Sequence, residues 1–189
     1  MALTEVRWHG RGGQGAVTAA KVLAEVAMKT GKNVQAFPEY GPERTGAPLR
    51  AYNRISDSVL RLHSGVTNPS VIVVIDPSLL EAVDVTEGAT QDAVFVINTN
   101  HCPADIKKML KLEKHKVFTV NASQIALDTI GRPIPNTPML GALAKATGII
   151  TLEGLLDDVK KSFGKKFSEQ MINSNLEAVK RAYQEVSGE

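Results

Sequence analysis

Residues 9–15 read HGRGGQG, which places glycine at positions 10, 12, 13 and 15. The preceding stretch LTEVRWH (3–9) alternates well enough to be a strand. The following stretch AVTAAKVLAEVAMKTG (16–31) has apolar residues at helical spacing and ends on a glycine, a natural helix stop. NVQAF (33–37) is the next predicted strand. The glycine run therefore joins a strand to a helix that leads to another strand, the context that a phosphate-binding turn requires.

The rest of the chain predicts an α/β fold. Short apolar runs that suit strands buried on both faces of a parallel sheet are VIVVID (71–76), AVFVIN (93–98) and KVFTVNA (116–122). LRAYNRI (49–55) and SVLRLH (58–63) read as a β-hairpin. Predicted helices are PSLLEAV (77–83), SQIALDTIG (123–131), PMLGALAKATG (138–148), LEGLLDDVKKSFG (152–164) and a last one over 172–186. We expect one domain over residues 1–189: a mostly parallel, doubly wound, Rossmann-like sheet with a β-hairpin insertion and a helical C-terminal segment.

Composition narrows the function classes. The formal net charge is +2 and the aromatic content 5%, which is too balanced and too poor in stacking side chains for a nucleic-acid binder. One cysteine cannot form an intrachain disulfide or hold an iron–sulfur cluster by itself. No apolar run approaches the ~20 residues of a membrane span, and no leader opens the chain. We expect a soluble, cytoplasmic protein.

The glycine run permits two interpretations. Glycines let backbone N–H groups approach a phosphate, the following helix adds its positive end, and Arg11 and Gln14 could add side-chain donors. Alternatively, the glycines serve only a sharp turn and close helix–strand packing. An NAD site expects an acid about 20 residues on, at the end of the second strand, and Glu39 comes late and after a proline. No P-loop lysine follows the glycines, which argues against an ATPase.

Two further stretches could face the same crevice. PEYGPERTGAPLR (38–50) is a loop after the second predicted strand, and loops at the carboxyl ends of strands surround the ligand crevice in doubly wound folds. Asn136 and Thr137 precede a predicted helix N-terminus, although capping alone explains Thr137. His9 ends the first strand and is interpreted as a structural histidine rather than a catalytic one.

Four blocks of the sequence resemble a known family. They are EVRWHGRGGQGAVTAAKVLAE, VQAFPEYGPERTGAPLRAYNRIS, NPSVIVVIDPSLL and IPNTPMLGALAKATGI. In this order they resemble the gamma subunits, or gamma domains, of 2-oxoacid:ferredoxin oxidoreductases. The block FPEYGPERTGAP is similar to the pyruvate branch, and the methionine-arginine-glycine-glycine loop typical of the 2-oxoglutarate branch is absent.

The resemblance implies a reaction and a set of partners. Pyruvate, coenzyme A and oxidised ferredoxin would give acetyl-CoA, carbon dioxide and reduced ferredoxin. Thiamine diphosphate would lie between alpha and beta subunits and the iron–sulfur clusters in beta and delta subunits. This chain would then hold no redox centre and be inactive alone, and ferredoxin would meet it only indirectly. We expect neither nucleic acid nor a membrane as a partner.

The resemblance also implies that the chain contributes to coenzyme A binding. The candidate binding residues are Gly10, Arg11, Gly12, Gly13, Gln14, Gly15, Tyr40, Glu43, Arg44, Thr45, Asn136 and Thr137, with no catalytic residue and no metal ligand among them. For the four residues of the second loop, contact with alpha or beta is an equally good role. A branched-chain 2-oxoacid enzyme, a purely structural subunit and an independent NAD- or flavin-binding oxidoreductase remain alternatives.

Overall fold

One mixed sheet runs through the described part of the chain. The computed structural model describes residues 3–39, 46–164 and 167–189. The strands there are β1 (Leu3–Arg11), β2 (Asn33–Glu39), β3 (Pro48–Ser56), β4 (Val71–Val74), β5 (Val94–Asn98), β6 (Lys116–Val120) and β7 (Ser187–Gly188). The helices there are α1 (Ala16–Lys29), α2 (Leu79–Ala82), α3 (Pro103–Leu110), α4 (Ala122–Ile130), α5 (Asn136–Thr147), α6 (Leu152–Gly164) and α7 (Glu169–Glu185).

The sheet has the order β2-β3-β1-β4-β5-β6-β7. β1, β4, β5 and β6 run parallel to one another, whereas β3 is antiparallel to both β1 and β2, and β7 is antiparallel to β6. Parallel neighbours need crossover connections, which the helices supply. The carboxyl ends of β1 and β4 therefore lie side by side, and the glycine run lies at this end of the strands.

Helices cover both faces of the parallel strands. Val71, Val73 and Val96 belong to a core with α1 and the C-terminal helices. Ile72, Val74 and other alternate residues belong to a second core with α2 and α3. The predicted fold class, an α/β sheet with helices on both faces and a helical C-terminal segment, is confirmed.

The predicted β-hairpin over residues 49–63 is wrong in its second strand. β3 exists, but residues 58–63 form no strand, and the antiparallel partners of β3 are β2 and β1. The alternating pattern of 49–55 identified a strand correctly. Its pairing is decided by tertiary contacts, because β3 inserts between two strands that precede it in the chain.

A chain of buried hydrogen bonds fixes α1 on the sheet. Trp8 Nε1 donates to Asn53 Oδ1 (2.8 Å), and Asn53 Nδ2 donates to the carbonyl oxygen of Ala20 (2.8 Å). Trp8 and Asn53 are both fully buried. Buried polar groups of this kind specify one arrangement because each loses its partner if the helix shifts. They hold the N-terminus of α1 at the end of β1.

Among the described residues, no helix has both the length and the hydrophobicity to cross a membrane.

Candidate functional site

The glycine run spans the end of a strand, a turn and a helix start. Gly10 and Arg11 are the last residues of β1, so the strand is two residues longer than the sequence predicts. A Cβ on Gly10 would lie 3.2 Å from Cβ of Ala16, the first residue of α1. Gly10 therefore lets the helix pack closely on the strand, which is the second of the two roles that the sequence allows for these glycines.

Gly15 brings two helix N-termini together. It immediately precedes α1 with φ of 83°, a left-handed conformation that favours glycine. A Cβ there would lie 2.5 Å from Nδ2 of Asn136, the first residue of α5. The predicted proximity of Asn136 to the glycine run is thus present in the structure. The N-termini of α1 and α5 therefore lie next to each other, so the positive ends of the two helix dipoles are adjacent.

The backbone amides at this junction are open to a ligand. Neither α1 nor α5 has a side-chain cap or an acidic residue in its first turn. Within residues 3–39, 46–164 and 167–189, the N–H groups of Gly13, which is exposed, and Gly15, which is partly exposed, donate to no acceptor. Unpaired N–H groups on the positive end of a helix form a site suited to phosphate or carboxylate.

Hydrogen bonds and an ion pair fix the side chain of Arg11 at the carboxyl ends of the parallel strands. Its Nη1 donates to the carbonyl oxygen of Gly46 (3.1 Å), and Nη2 donates to Oγ of Ser78 (2.9 Å). Its Nε lies 3.3 Å from Oδ2 of Asp76. The guanidinium is 29% exposed, so it stays accessible while its position is fixed.

Gln14 connects the turn to the same carboxylate. Its Oε1 accepts the N–H of Arg11 (2.7 Å), and its Nε2 donates to Oδ2 of Asp76 (2.5 Å). In this arrangement Gln14 stabilises the turn, so the expected donor role toward a ligand would require the bond to Asp76 to break. The side chain of Gln14 joins the ends of β1 and β4.

Asp76 and Ser78 belong to this site and are missing from the sequence prediction. Asp76 follows β4, and Oδ1 also accepts the N–H of Ser78 (2.9 Å). Burial by itself would raise the pKa of Asp76, but hydrogen bonds from Ser78 and Gln14 and the charge of Arg11 outweigh it and lower the pKa. The polar residue that ends VIVVID was the available signal, because β4 is the parallel neighbour of β1.

The second predicted loop meets the glycine turn at its far end. The N–H of Gly12 donates to the carbonyl oxygen of Ala47 (3.0 Å), and the N–H of Gly46 donates to the carbonyl oxygen of Gly12 (3.3 Å). The N–H of Gly12 is therefore occupied and is not free for a ligand. Tyr40, Glu43, Arg44 and Thr45 lie outside the described residues.

Thr137 does not cap α5. The helix begins at Asn136 with Pro135 in the cap position, and Thr137 lies buried in the first turn, 5% exposed. The prediction of a cap at Thr137 is therefore wrong by two residues. The proline-rich approach IPNTP concealed the start, because a proline can occupy either the cap or the first turn.

The position of Glu39 does not suit an NAD site. Glu39 pairs with Arg50 on β3, and Arg50 pairs with His9 on β1. β3 thus lies between Glu39 and the strand that carries the glycine run, about 10 Å away at the usual spacing of strands. In dinucleotide-binding folds the acidic residue belongs to the strand next to the glycine turn.

His9 is a buried neutral residue behind the glycine run. Its Nε2 accepts a hydrogen bond from Nε of Arg7 (3.0 Å), which agrees with the structural role that the sequence favoured. Burial and the charges of Arg7 and Arg50 lower the pKa of His9 to about 3. Across the described residues, no cluster of three or more His, Cys, Asp or Glu side chains could hold a metal ion.

Two helix N-termini that meet at the carboxyl ends of the parallel strands, in a sheet with helices on both faces, define the doubly wound class of α/β proteins. The family model of pyruvate ferredoxin/flavodoxin oxidoreductase matches residues 5–185. The chain belongs to this family, and within it to the gamma subunits.

Three relatives illustrate the match. The pyruvate synthase subunit PorC of Thermotoga maritima is 50% identical over 182 residues, which cover 96% of this chain and 94% of that protein. A crystal structure of that organism's PORC subunit has a TM-score of 0.87 at 46% identity and covers 100% of this chain and 99% of its own. The pyruvate/ketoisovalerate oxidoreductases common subunit gamma of Pyrococcus abyssi is 45% identical over 95% of this chain and 97% of its own.

The third relative is more distant and shares the fold. A structure of 2-oxoglutarate:ferredoxin oxidoreductase from Magnetococcus marinus, with 2-oxoglutarate, coenzyme A and succinyl-CoA bound, has a TM-score of 0.79 at 21% identity. The match covers 97% of this chain and 31% of that one.

Proposed function

We propose that the chain is the gamma subunit of a pyruvate:ferredoxin oxidoreductase and that it contributes part of the coenzyme A site. The carrying observation is the junction of α1 and α5, where Gly15 packs against Asn136 and the N–H groups of Gly13 and Gly15 are unpaired within the described residues. The names of the Thermotoga and Pyrococcus relatives support the pyruvate substrate. The Magnetococcus structure supports coenzyme A as a ligand of such complexes.

The chemistry of this junction suits the phosphate groups of coenzyme A. A phosphate oxygen placed against Gly13 and Gly15 would accept hydrogen bonds from amides that have no partner among the described residues. Arg11 would add a charge-assisted bond at the side of the phosphate. Arg11 also contacts Asp76, which fixes its position, and the amides and the guanidinium would share the attraction.

The complete reaction needs partner subunits. Under this proposal, alpha, beta and delta subunits hold thiamine diphosphate and the iron–sulfur clusters, and pyruvate, coenzyme A and oxidised ferredoxin become acetyl-CoA, carbon dioxide and reduced ferredoxin. The single cysteine of this chain supports the assignment of clusters to other subunits. The isolated chain should have no 2-oxoacid oxidation activity.

A branched-chain substrate is the second candidate. The Pyrococcus relative is named as a subunit common to pyruvate and ketoisovalerate oxidoreductases. A subunit that binds coenzyme A need not contact the 2-oxoacid, so one gamma chain could serve both enzymes. Assays of complexes co-purified from the native host with pyruvate and with 2-ketoisovalerate would separate the two.

Hydrogen exchange of the assembled complex, with and without coenzyme A, tests the binding role. We expect coenzyme A to slow exchange in peptides that cover residues 10–18 and 133–140, because the unpaired amides there gain an acceptor. Peptides from the middle of α7 serve as the control. Unchanged exchange in both glycine-run and α5 peptides would instead favour a purely structural subunit whose glycines form only a turn.

A further inference from the structure

The antiparallel strands carry a polar face on the side of the sheet away from α1. Across the β1–β3 ladder, Arg7 is paired with Tyr52, His9 with Arg50 and Glu5 with Arg54. The alternate residues Val6, Trp8 and Ala51 belong to the core beneath α1. Side chains of adjacent residues point to opposite faces of a strand, so the charged residues share one face.

Two loops are attached to this face by arginines. Nη2 of Arg54 donates to the carbonyl oxygen of Gly65 (2.9 Å), and Nη2 of Arg7 donates to the carbonyl oxygen of Val85 (3.0 Å). Between the loops lies a cleft of about 810 Å³, which we call the arginine cleft. Its charged lining residues are Arg7, Arg50, Arg54, Glu39 and Glu87, and Tyr52 and His63 also line it. Its volume is in the range of small-molecule sites, about 300–1,000 Å³.

The three arginines of the arginine cleft differ in their partners. Nε of Arg54 bonds the carboxylate of Glu5 (2.7 Å), and Nη2 of Arg50 bonds that of Glu87 (2.9 Å). Arg7 has no ion pair within the described ranges, and its other hydrogen bond goes to the neutral ring of His9. It is nevertheless only 2% exposed.

One nitrogen of Arg7 remains open. Nη1 of Arg7 has no hydrogen-bond partner among the described residues. Among the described residues, Nδ1 of His115 is the one side-chain nitrogen or oxygen that is both shielded from water and without a hydrogen-bond partner. Nη1 of Arg7 also lacks a partner but is not shielded in this way, so it retains some accessible surface. Arg7 lines the arginine cleft, and that surface therefore faces it.

Among the described residues, no carboxylate bonds directly to Arg7 on the floor of the cleft. A buried guanidinium without such a partner is costly, and Arg50 on the neighbouring strand repels it. Burial and the charge of Arg50 lower the pKa of Arg7, while the charges of Glu87 and Asp84 act in the opposite direction without reversing the shift. Glu87 is 61% exposed and therefore screened by water. Glu39 accepts a hydrogen bond from the hydroxyl of Tyr52.

We propose that the arginine cleft binds an oxyanion, the phosphate or carboxylate group of a small molecule, between Arg7 and Arg50. Nη1 of Arg7 donates to one oxygen, and the charge of Arg50 holds the other side. The anion removes the repulsion between the two guanidinium groups and gives the buried one its counter-ion. This site is separate from the α1–α5 junction and does not depend on the proposed coenzyme A role.

Titration of the full-length chain with inorganic phosphate, and separately with malonate, tests this proposal. Ionic strength is kept constant with sodium chloride, and the ¹⁵N-bound Nε–H signal of Arg7 is followed by NMR. We expect a saturable shift of that signal with at least one anion. The anion that binds more tightly distinguishes a phosphate ester from a carboxylate as the natural source. No saturable shift with either anion overturns the proposal.

Two variants assign the binding to the arginine cleft. Arg50→Gln, on a partly exposed side chain, should weaken anion affinity about tenfold, as expected for one charge-assisted contact. Arg11→Gln removes the arginine of the glycine run and should leave the Arg7 shift unchanged. Wild-type affinity in Arg50→Gln, or loss of the shift in Arg11→Gln, contradicts the proposal. Unchanged thermal unfolding shows that each variant is folded.

Discussion

The α1–α5 junction and the arginine cleft are both suited to anions, but by different means. At the junction, Gly13 and Gly15 adopt left-handed conformations, their N–H groups are unpaired within the described residues, and the nearby arginine is already paired with Asp76. In the arginine cleft, guanidinium groups project from regular strands and one of them has no carboxylate partner in the described residues. The first site should therefore be sensitive to added Cβ atoms as well as to loss of Arg11, and the second to removed charges alone.

The largest effect should come from Gly15→Ala. Alanine would adopt a left-handed conformation at a cost of about 1–2 kcal/mol, and its Cβ would lie 2.5 Å from Nδ2 of Asn136. Together these should lower the free energy of unfolding by about 3 kcal/mol. Urea unfolding of the isolated chain measures this loss of stability. In the assembled complex, Gly15→Ala should also raise the KM for coenzyme A, because the variant disturbs the α1–α5 junction.

Gly13→Ala is the matched control for that variant. Gly13 also has a positive φ, 96°, but a Cβ there would meet nothing within 4 Å. We expect only the conformational cost of about 1–2 kcal/mol. Equal destabilisation by the two variants would mean that the contact between Gly15 and Asn136 contributes nothing, and the junction of α1 and α5 would lose its structural basis.

Between pH 7 and pH 5, an effect of about 2 kcal/mol on the free energy of unfolding should come from His9. The folded protein holds His9 neutral to a pKa of about 3, whereas the unfolded chain takes up the proton near 6.5. The stabilisation is thus fully present above pH 6.5 and is lost as the pH falls toward the folded pKa. Between pH 6 and 5 the free energy of unfolding should fall by up to about 1.4 kcal/mol per pH unit.

His9→Gln should flatten this slope, measured by urea unfolding at half-unit pH intervals. The exposed His101→Gln removes a titratable side chain elsewhere and should keep it. A slope that persists in His9→Gln would show that Arg7 and His9 do not share the neutral hydrogen bond described above.

Asp76→Asn should lower stability by about 1 kcal/mol at pH 7, because Arg11 loses its ion pair. Since the pKa of Asp76 is lowered in the folded protein, its stabilisation exists above the ordinary value and disappears as the pH falls below it. The difference between wild type and variant should therefore shrink as the pH falls below 3.8, the ordinary value of the carboxyl group. A difference that stays constant as the pH falls through this region would contradict the network around Asp76.

The smallest effect on stability should come from Glu87→Gln, below about 1 kcal/mol, because the Arg50–Glu87 pair is largely exposed. The variant nevertheless leaves Arg50 without its carboxylate, so affinity for phosphate in the arginine cleft should increase a few-fold. Isothermal titration at fixed ionic strength measures this. Weaker phosphate binding in Glu87→Gln would mean that Arg50 does not face the anion.

Local patterns in the sequence predicted much of the fold. The strand–glycine–helix unit, the buried strands of the parallel half and the C-terminal helices all follow from periodicity and helix stops. The pairing of β3 did not, because strand neighbours are set by contacts between distant residues rather than by local alternation. The same limit hid the contact of Asp76 with Arg11 and Gln14, 62 positions from Gln14 in the sequence.

The sequences of β1 and β3 also contain a signal for their polar face. LTEVRWH and LRAYNRI place charged or polar residues at every second position, the pattern of strands with one face away from the core. That pattern could have placed Arg7, Arg50 and Arg54 on one face. It could not have shown which of them lacks a carboxylate partner, because the partners come from loops and from another strand.

Steady-state kinetics of the assembled complex with Arg11→Ala test the central claim, coenzyme A binding at the α1–α5 junction, most directly. The KM for coenzyme A should rise about tenfold to a hundredfold, as for one charge-assisted phosphate contact, while the KM for pyruvate stays nearly fixed. Arg181→Ala, which removes an arginine from α7, should change neither constant. An unchanged KM for coenzyme A in a fully assembled Arg11→Ala complex would contradict the claim.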